Sequence, residues 1–297
     1  MKLAVMTWYH YHNYGTALQA AAMQAVLRDM GHEPQLIQYR PCGYFRTLPD
    51  YSIPEFGRRI RIKLMRTSKP EPCGLKSELR DRAFDSFLER NIKFTEPCRT
   101  LSDLELLNDK FDAFICGSDQ VWSPLAYDPH YYLNFVHDNA KKIAYAPSMG
   151  AKEIRDRYIK ADISHLLDGF GALSAREDSG ARLICGLTGR HVEVVADPTL
   201  LLDAERWEKI CCADEDRTAR YLLVYMLGNS DEHWAAIEKT ASSMGLALRI
   251  IPVFEQDTKR SGCVTEPVGP EEFVKLFRNA ESVSYTHLRA HETRSNL

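Results

Sequence analysis

Residues 111–122 read FDAFICGSDQVW, and the change of character at Gly117 decides the fold. Phe111 to Cys116 is a short apolar run of the kind that a parallel strand covered on both faces requires. Immediately after Gly117 come a hydroxyl (Ser118), a carboxylate (Asp119), an amide (Gln120) and an indole (Trp122). Open α/β sheets bind ligands just beyond the carboxyl ends of their strands, so these groups stand where a site is expected. The plainer alternative is that Ser118 or Asp119 only caps a following helix.

The chain of 297 residues is too long for one ordinary core, and two domains are expected. Its 44% hydrophobic and 27% charged content is that of a globular protein, and a net charge of −3 gives no electrostatic case for nucleic acid or an anionic membrane. No apolar run approaches the roughly 20 residues of a membrane span. The N-terminal MKLAVMTW lacks a signal peptide's apolar core and reads as a first strand, so a cytoplasmic location is expected. The 8 cysteines form no C-x-x-C pair, which suggests neither a zinc site nor a disulfide framework and fits a reducing compartment.

Strand and helix patterns alternate, as in a parallel sheet covered by helices. Residues 3–8 form strand one, 17–30 a helix rich in Ala, Leu, Met and Gln that Gly31 stops, and 35–39 strand two. Residues 41–75 interrupt the rhythm with five prolines and a basic stretch, RRIRIKLMR at 58–66. That stretch reads first as a solvated amphipathic helix, and alternatively as a surface for an anionic or membrane-borne substrate. A helix over 78–91 follows, with Leu79, Ala83 and Phe87 on one face, then the 111–116 strand. Further strands are expected at 142–146, 171–175 and 192–196, with helices at 152–167 and 176–185.

Beyond Leu202 a second module begins. The expected division is 1–205 and 206–283, with strands at 221–227, 248–253 and from 282. About three strands fall short of the five or six of a doubly wound domain, so the second domain is expected to be truncated and marginally folded. Residues 284–297 show neither helical nor strand periodicity and are set aside as a processing scar, His287 and His291 included. No metal site is expected.

A second landmark precedes the first, Asn13-Tyr14-Gly15-Thr16-Ala17-Leu18-Gln19-Ala20. Gly15 would let this loop turn tightly, and the N–H groups opening the next helix would face an anion. Taken with FDAFICGSDQVW, with AYAPSMG at 144–150, LSARE at 173–177 and VADPTLL at 195–201, it resembles the polysaccharide pyruvyl transferase family. The resemblance runs from about residue 3 to 283. It implies a fold like the glycosyltransferase B type, two Rossmann-like domains facing across a cleft, the first on the acceptor side. It also implies transfer of a pyruvyl group from phosphoenolpyruvate to sugar hydroxyls of a cell-surface polysaccharide or its lipid-linked precursor, without a cofactor.

On that resemblance the site residues divide by chemistry. Arg176 suits the donor's carboxylate or phosphate through its fork, unless it simply pairs with Glu177 or Asp178. Asp119 would orient an acceptor hydroxyl or act as its base, and Trp122 would stack on a sugar or instead seal the loop. Asn13, Gly15, Gln19, Gly117, Ser118 and Asp197 complete the expected substrate-binding set, with Asp197 before Pro198 also a natural turn-former and Gln19 able to tie the loop. His10 and His12 flank the loop but fall outside the family blocks. The family's serine-and-histidine motif, with donor-binding Arg and His, should follow Ser282-Val283 and does not, so this chain is expected to be inactive. The competing expectations are a nucleotide-sugar glycosyltransferase and a non-catalytic sugar- or anion-binding relic.

Overall fold

The structure is a computed structural model, and it describes residues 1–40, 78–211, 220–227 and 230–286. The basic stretch at 58–66, His287, His291 and the expected position of the donor motif lie outside the described residues. The chain divides into two compact units. The first holds the described residues 1–40 and 91–202, and the second 78–90 and 203–286.

The first unit is a parallel sheet in the order β2-β1-β3-β4, where β1 is Lys2–Met6, β2 Glu33–Leu36, β3 Ala113–Gly117 and β4 Lys142–Tyr145. Registers such as Val5 against Ile115 and Cys116 against Ala144 set β3 at its centre. Single bridges extend the sheet on both sides. Phe94 and Cys98 pair with Leu36 and Tyr39, and Ala172 pairs with Ile143 just before β5, Ser174–Ala175. β5 then pairs with β6, Glu193–Val194. Counted along the chain, the neighbours run 3-2-1-4-5-6-7, the doubly wound order extended by one strand. All five residues of β3 are buried, which is why its sequence is continuously apolar rather than alternating.

The strand order reverses between β1 and β3, and α1, Tyr14–Asp29, begins at that point. Asn13 caps α1 by accepting the Thr16 N–H through Oδ1 at 3.2 Å. Gly31, at φ +81°, takes the left-handed position after it. Other helices cover the sheet at Leu101–Glu105, Arg157–Asp168 and Asp178–Thr188, the last two amphipathic and seated on Ile163, Leu167 and Ile184.

The second unit repeats the plan on a smaller scale. β7, Tyr221–Met226, lies between β8, Ala247–Ile250, and β9, Ser282–Thr286, all parallel, and Cys263 bridges to Ile250. In chain order that is again 3-2-1-4. Its core gathers Leu222, Val224, Trp234, Ile237 and Ile250, and the Arg260 guanidinium lies 4.0 Å over the Trp234 ring. Gly262 is required here. It sits at φ +88°, and a Cβ would stand 2.3 Å from the Leu248 carbonyl oxygen.

Two expectations change. β9 runs on to Thr286, with Tyr285 opposite Tyr225, so the segment set aside from Ser284 includes the end of a strand. Polar alternation in Ser-Val-Ser-Tyr-Thr hides a strand whose partner, β7, carries the apolar burden. The helix Glu78–Asn91 belongs through residue 90 to the second unit, so the first is not a continuous 1–205 stretch. Gly269 explains the fit: a Cβ on it would lie 2.7 Å from Ala83 Cβ, and Arg90 pairs with Glu271 at 2.8 Å. Phe84, Phe87 and Leu88 form that helix's buried face, while Leu79 is exposed.

Candidate functional site at the sheet reversal

Five segments meet at the carboxyl ends of β1, β3, β4 and β5, and the backbone there is strained in a consistent way. Ser118 and Asp119, consecutive and not glycine, sit at φ +24° and +63°, and His12 and Ala146 are also left-handed. Such conformations cost of order 1–3 kcal/mol each and persist only when surroundings enforce them. The enforcement is visible. Thr7 Oγ1 donates to the Ser118 carbonyl at 3.1 Å, the Ser118 N–H to Tyr145 O at 3.0 Å, and the Ser148 N–H to the Asp119 carbonyl at 2.8 Å. The reversal of β3 into its loop is thereby held from both neighbouring strands.

This turn aims Asp119 at the start of α1. Its Oδ2 accepts from Thr16 Oγ1 at 2.6 Å, and its Oδ1 from the Gln120 N–H at 2.7 Å. The helix N-terminus expected to face a ligand anion therefore faces the Asp119 carboxylate, which its positive end stabilises. Asp119 remains partly exposed, and each oxygen keeps a lone pair for a further donor.

Beside it lies a second carboxylate, Asp197. Its Oδ2 accepts from Ser118 Oγ at 2.5 Å and from Arg176 Nη1 at 3.2 Å, while its Oδ1 caps the short turn Pro198–Leu200 through Thr199. Arg176 also donates Nε to Glu177 Oε1 at 3.1 Å. Burial acts to lower the Arg176 pKa, but Glu177, Asp197 and Asp119 outweigh it and raise the guanidinium above its ordinary value. Among the described residues, three carboxylates against one arginine make this a net-negative site, suited to donors such as sugar hydroxyls. Arg176 is engaged by two carboxylates rather than presented to a ligand anion.

The remaining expected residues have structural duties. Trp122 is fully buried, donates Nε1 to Tyr131 O at 3.0 Å and stacks on Tyr132 at 5.1 Å. It seals the loop and offers no face to a sugar. Gln19, also buried, directs Nε2 to Thr7 Oγ1, Trp8 O and Thr16 O, tying β1's loop to α1. Gly15 makes no tight turn. It lies on the first turn of α1, exposed, where a Cβ would make ordinary contact with Asn13 Oδ1 at 3.4 Å. Gly117 closes β3 against Met23, whose Cε would be 2.7 Å from an added Cβ.

Thr16 and Ser148 are the partners that sequence reasoning left unassigned, while the Arg176–Glu177 pair is the alternative it offered. Thr16 and Ser148 fall inside the landmark blocks, so their signal was position within a block rather than residue type. Thr7 carried no signal. Behind the loop after β1, Tyr39 Oη donates to Asp128 Oδ2 at 2.8 Å and His130 Nδ1 meets Asp128 Oδ1 at 2.7 Å, a buried polar brace.

His10, in the same loop, is held down to about 4 by burial first, then by Arg40 and His12. Its Nδ1 is buried without a hydrogen-bond partner. The folded state therefore resists a proton that the unfolded chain takes up near the ordinary value of 6.5. Stability is expected to fall as pH drops from about 6.5 towards about 4. Urea unfolding of wild type against His10→Gln checks this: the variant should lose part of that slope, and identical slopes would contradict it.

Residues 13–283 match the family described as Polysaccharide pyruvyl transferase. The chain belongs to that family. The match spans the Asn13 cap, the β3 turn, Arg176 and Asp197, and it runs on into β9. No curated protein matches the chain. Among solved structures it is similar to UDP-GlcNAc 2-epimerase from Methanocaldococcus jannaschii, at 12% identity and TM-score 0.47, covering 96% of this chain and 78% of that one. It is also similar to UDP-N-acetylglucosamine 2-epimerase from Rickettsia bellii, at 8% identity and TM-score 0.43, covering 96% and 74%. Among the described residues, no helix is long and apolar enough to cross a membrane, and no cluster of three or more His, Cys, Asp or Glu side chains is placed to hold a metal.

Proposed function

We propose that this family member serves transfer of a pyruvyl group from phosphoenolpyruvate to a sugar of a cell-surface polysaccharide or its lipid-linked precursor, in the cytoplasm, with the first unit receiving the acceptor. The observation that carries the acceptor assignment is the net-negative cluster of Asp119, Asp197 and Glu177 at the sheet reversal, with Arg176 already ion-paired. A carboxylate with spare lone pairs beside a helix N-terminus favours a hydroxyl donor over an anionic one.

In this reaction one acceptor hydroxyl adds to C2 of the enol phosphate while C3 takes a proton and becomes a methyl group. Phosphate then leaves C2 with its bridging oxygen, and a second hydroxyl of the same sugar closes the ketal. Of the two hydroxyl protons, one balances the methyl group and the other leaves with phosphate. Asp119 orients the attacking hydroxyl and accepts its proton, a general-base role. Thr16 and the Gln120 N–H hold the carboxylate in place. No metal or organic cofactor takes part. The donor's anionic groups need cations, and Arg176 is already held by Glu177 and Asp197, so we expect the donor's cations to come from elsewhere in the protein.

The acceptor assignment is tested on this chain by titrating bacterial glycans and following amide signals by NMR. Saturable shifts at Thr16, Ser118, Asp119 and Gln120 are expected. Shifts there with a nucleotide sugar but with no glycan would point instead to a glycosyltransferase and overturn the assignment.

A further inference from the structure

A groove of about 410 Å³ lies on the first unit between the helices Arg157–Asp168 and Asp178–Thr188. The second helix supplies Ser179, Arg182, Leu183, Gly186 and Leu187, spaced so that they share one face. Lys160 comes from the first helix and Lys152 from the loop after β4. The space beside Gly186 is open, with nothing within 4 Å of where its Cβ would be. Ser164 Oγ, donating to Leu187 O at 2.9 Å, fixes the two helices side by side.

The charge of this groove is unbalanced. Lys152, Lys160 and Arg182 line it, and among the described residues no carboxylate does. Among the described residues none of the three forms an ion pair, whereas neighbouring Arg155 is tied to Glu153 at 2.5 Å. On the first helix, Asp162 accepts from Tyr127 Oη. Asp156 accepts the N–H groups of Tyr158 and Ile159, and Asp178 does not bond Arg182 one turn later. Like charges left together cost free energy unless an anion occupies the space between them.

We propose that this groove binds a diphosphate group, that of a diphosphate-linked glycan acceptor. An Arg fork, two ammonium groups and the Ser179 hydroxyl match a diphosphate's charge and its many acceptor oxygens. Leu183 and Leu187 give the group an apolar floor. The groove also adjoins the acceptor site along the chain. Lys152 lies in the loop whose Ser148 donates its N–H to the Asp119 carbonyl, and Ser179 follows Arg176 by three residues. The link to the acceptor rests on the function proposed above, while the anion site stands on the groove itself.

Calorimetric titration of the full chain with inorganic pyrophosphate tests it. Saturable binding is expected, weakened at least about tenfold by combining Lys152→Ala, Lys160→Ala and Arg182→Ala, and unchanged by Arg155→Ala. All three groove cations are exposed, so the thermal midpoint should hold. No binding at millimolar pyrophosphate, or equal binding by the triple variant, would overturn the proposal. A second arm uses vesicles containing phosphatidylglycerol. Vesicle binding that excess pyrophosphate does not displace would assign the cations to a membrane surface and also overturn it. A neutral, phosphate-free glycan reports on the Asp119 assignment alone, so either idea fails without the other.

Discussion

Asp119→Asn is expected to cut acceptor-dependent phosphate release by about 10²–10⁴-fold, the range for losing a general base. The measurement follows phosphate release from phosphoenolpyruvate in the presence of a glycan acceptor. Asn preserves the shape and tolerates the left-handed backbone at φ +63°; its amide oxygen takes the Gln120 N–H in place of Oδ1, while its NH2, in place of Oδ2, donates to Thr16 Oγ1. What it lacks is the charge that takes a proton. The thermal midpoint should therefore stay within a few degrees while the rate collapses. A rate within threefold of wild type would mean that Asp119 only builds the β3 turn.

Trp122→Ala should produce the largest stability change. Emptying a fully buried indole site costs about 3–5 kcal/mol, and the Tyr131 carbonyl loses its donor as well. Stacking on Tyr132 and the edge contact with Phe170, at 5.1 and 5.4 Å, go with it. Denaturant unfolding of the first unit is the readout, with Trp122→Phe falling between. A variant as stable as wild type but weaker in glycan binding would contradict the sealing role and restore the indole as a sugar platform.

These two residues also show what the sequence could and could not reveal. FDAFICGSDQVW announces a buried strand because both faces of β3 are covered, so apolar residues are continuous and their end is sharp. The polar groups after it were legible as a site because doubly wound sheets put ligands there. Their individual duties were not legible, since a duty depends on partners distant in sequence. Trp122 is defined by Tyr131 and Tyr132, Ser118 by Asp197, and Arg176 by that same Asp197. Nothing local distinguishes an arginine that awaits an anion from one already held by two carboxylates.

Glycine was misread for a related reason. Gly15 looked like a turn residue, yet the turn before α1 is made by Asn13 capping and by His12 at positive φ. The outer strand bridges at Phe94 and Cys98 were missed because single pairings leave no periodic pattern. β9 was cut short at Val283 because Ser284, Tyr285 and Thr286 are polar or amphipathic, although all three pair with β7. The helix Glu78–Asn91 was legible as a helix but not as part of the second unit, because Gly269 against Ala83 is a contact across most of the chain.

The most direct test of the central claim is product analysis. The protein is incubated with phosphoenolpyruvate and a panel of bacterial glycans, and the glycan is examined by mass spectrometry while phosphate is counted. The account predicts one pyruvate ketal on the glycan for each phosphate released, both lost with Asp119→Asn. Glycan unchanged with every acceptor, or extended by a sugar when a nucleotide sugar is supplied, would contradict it.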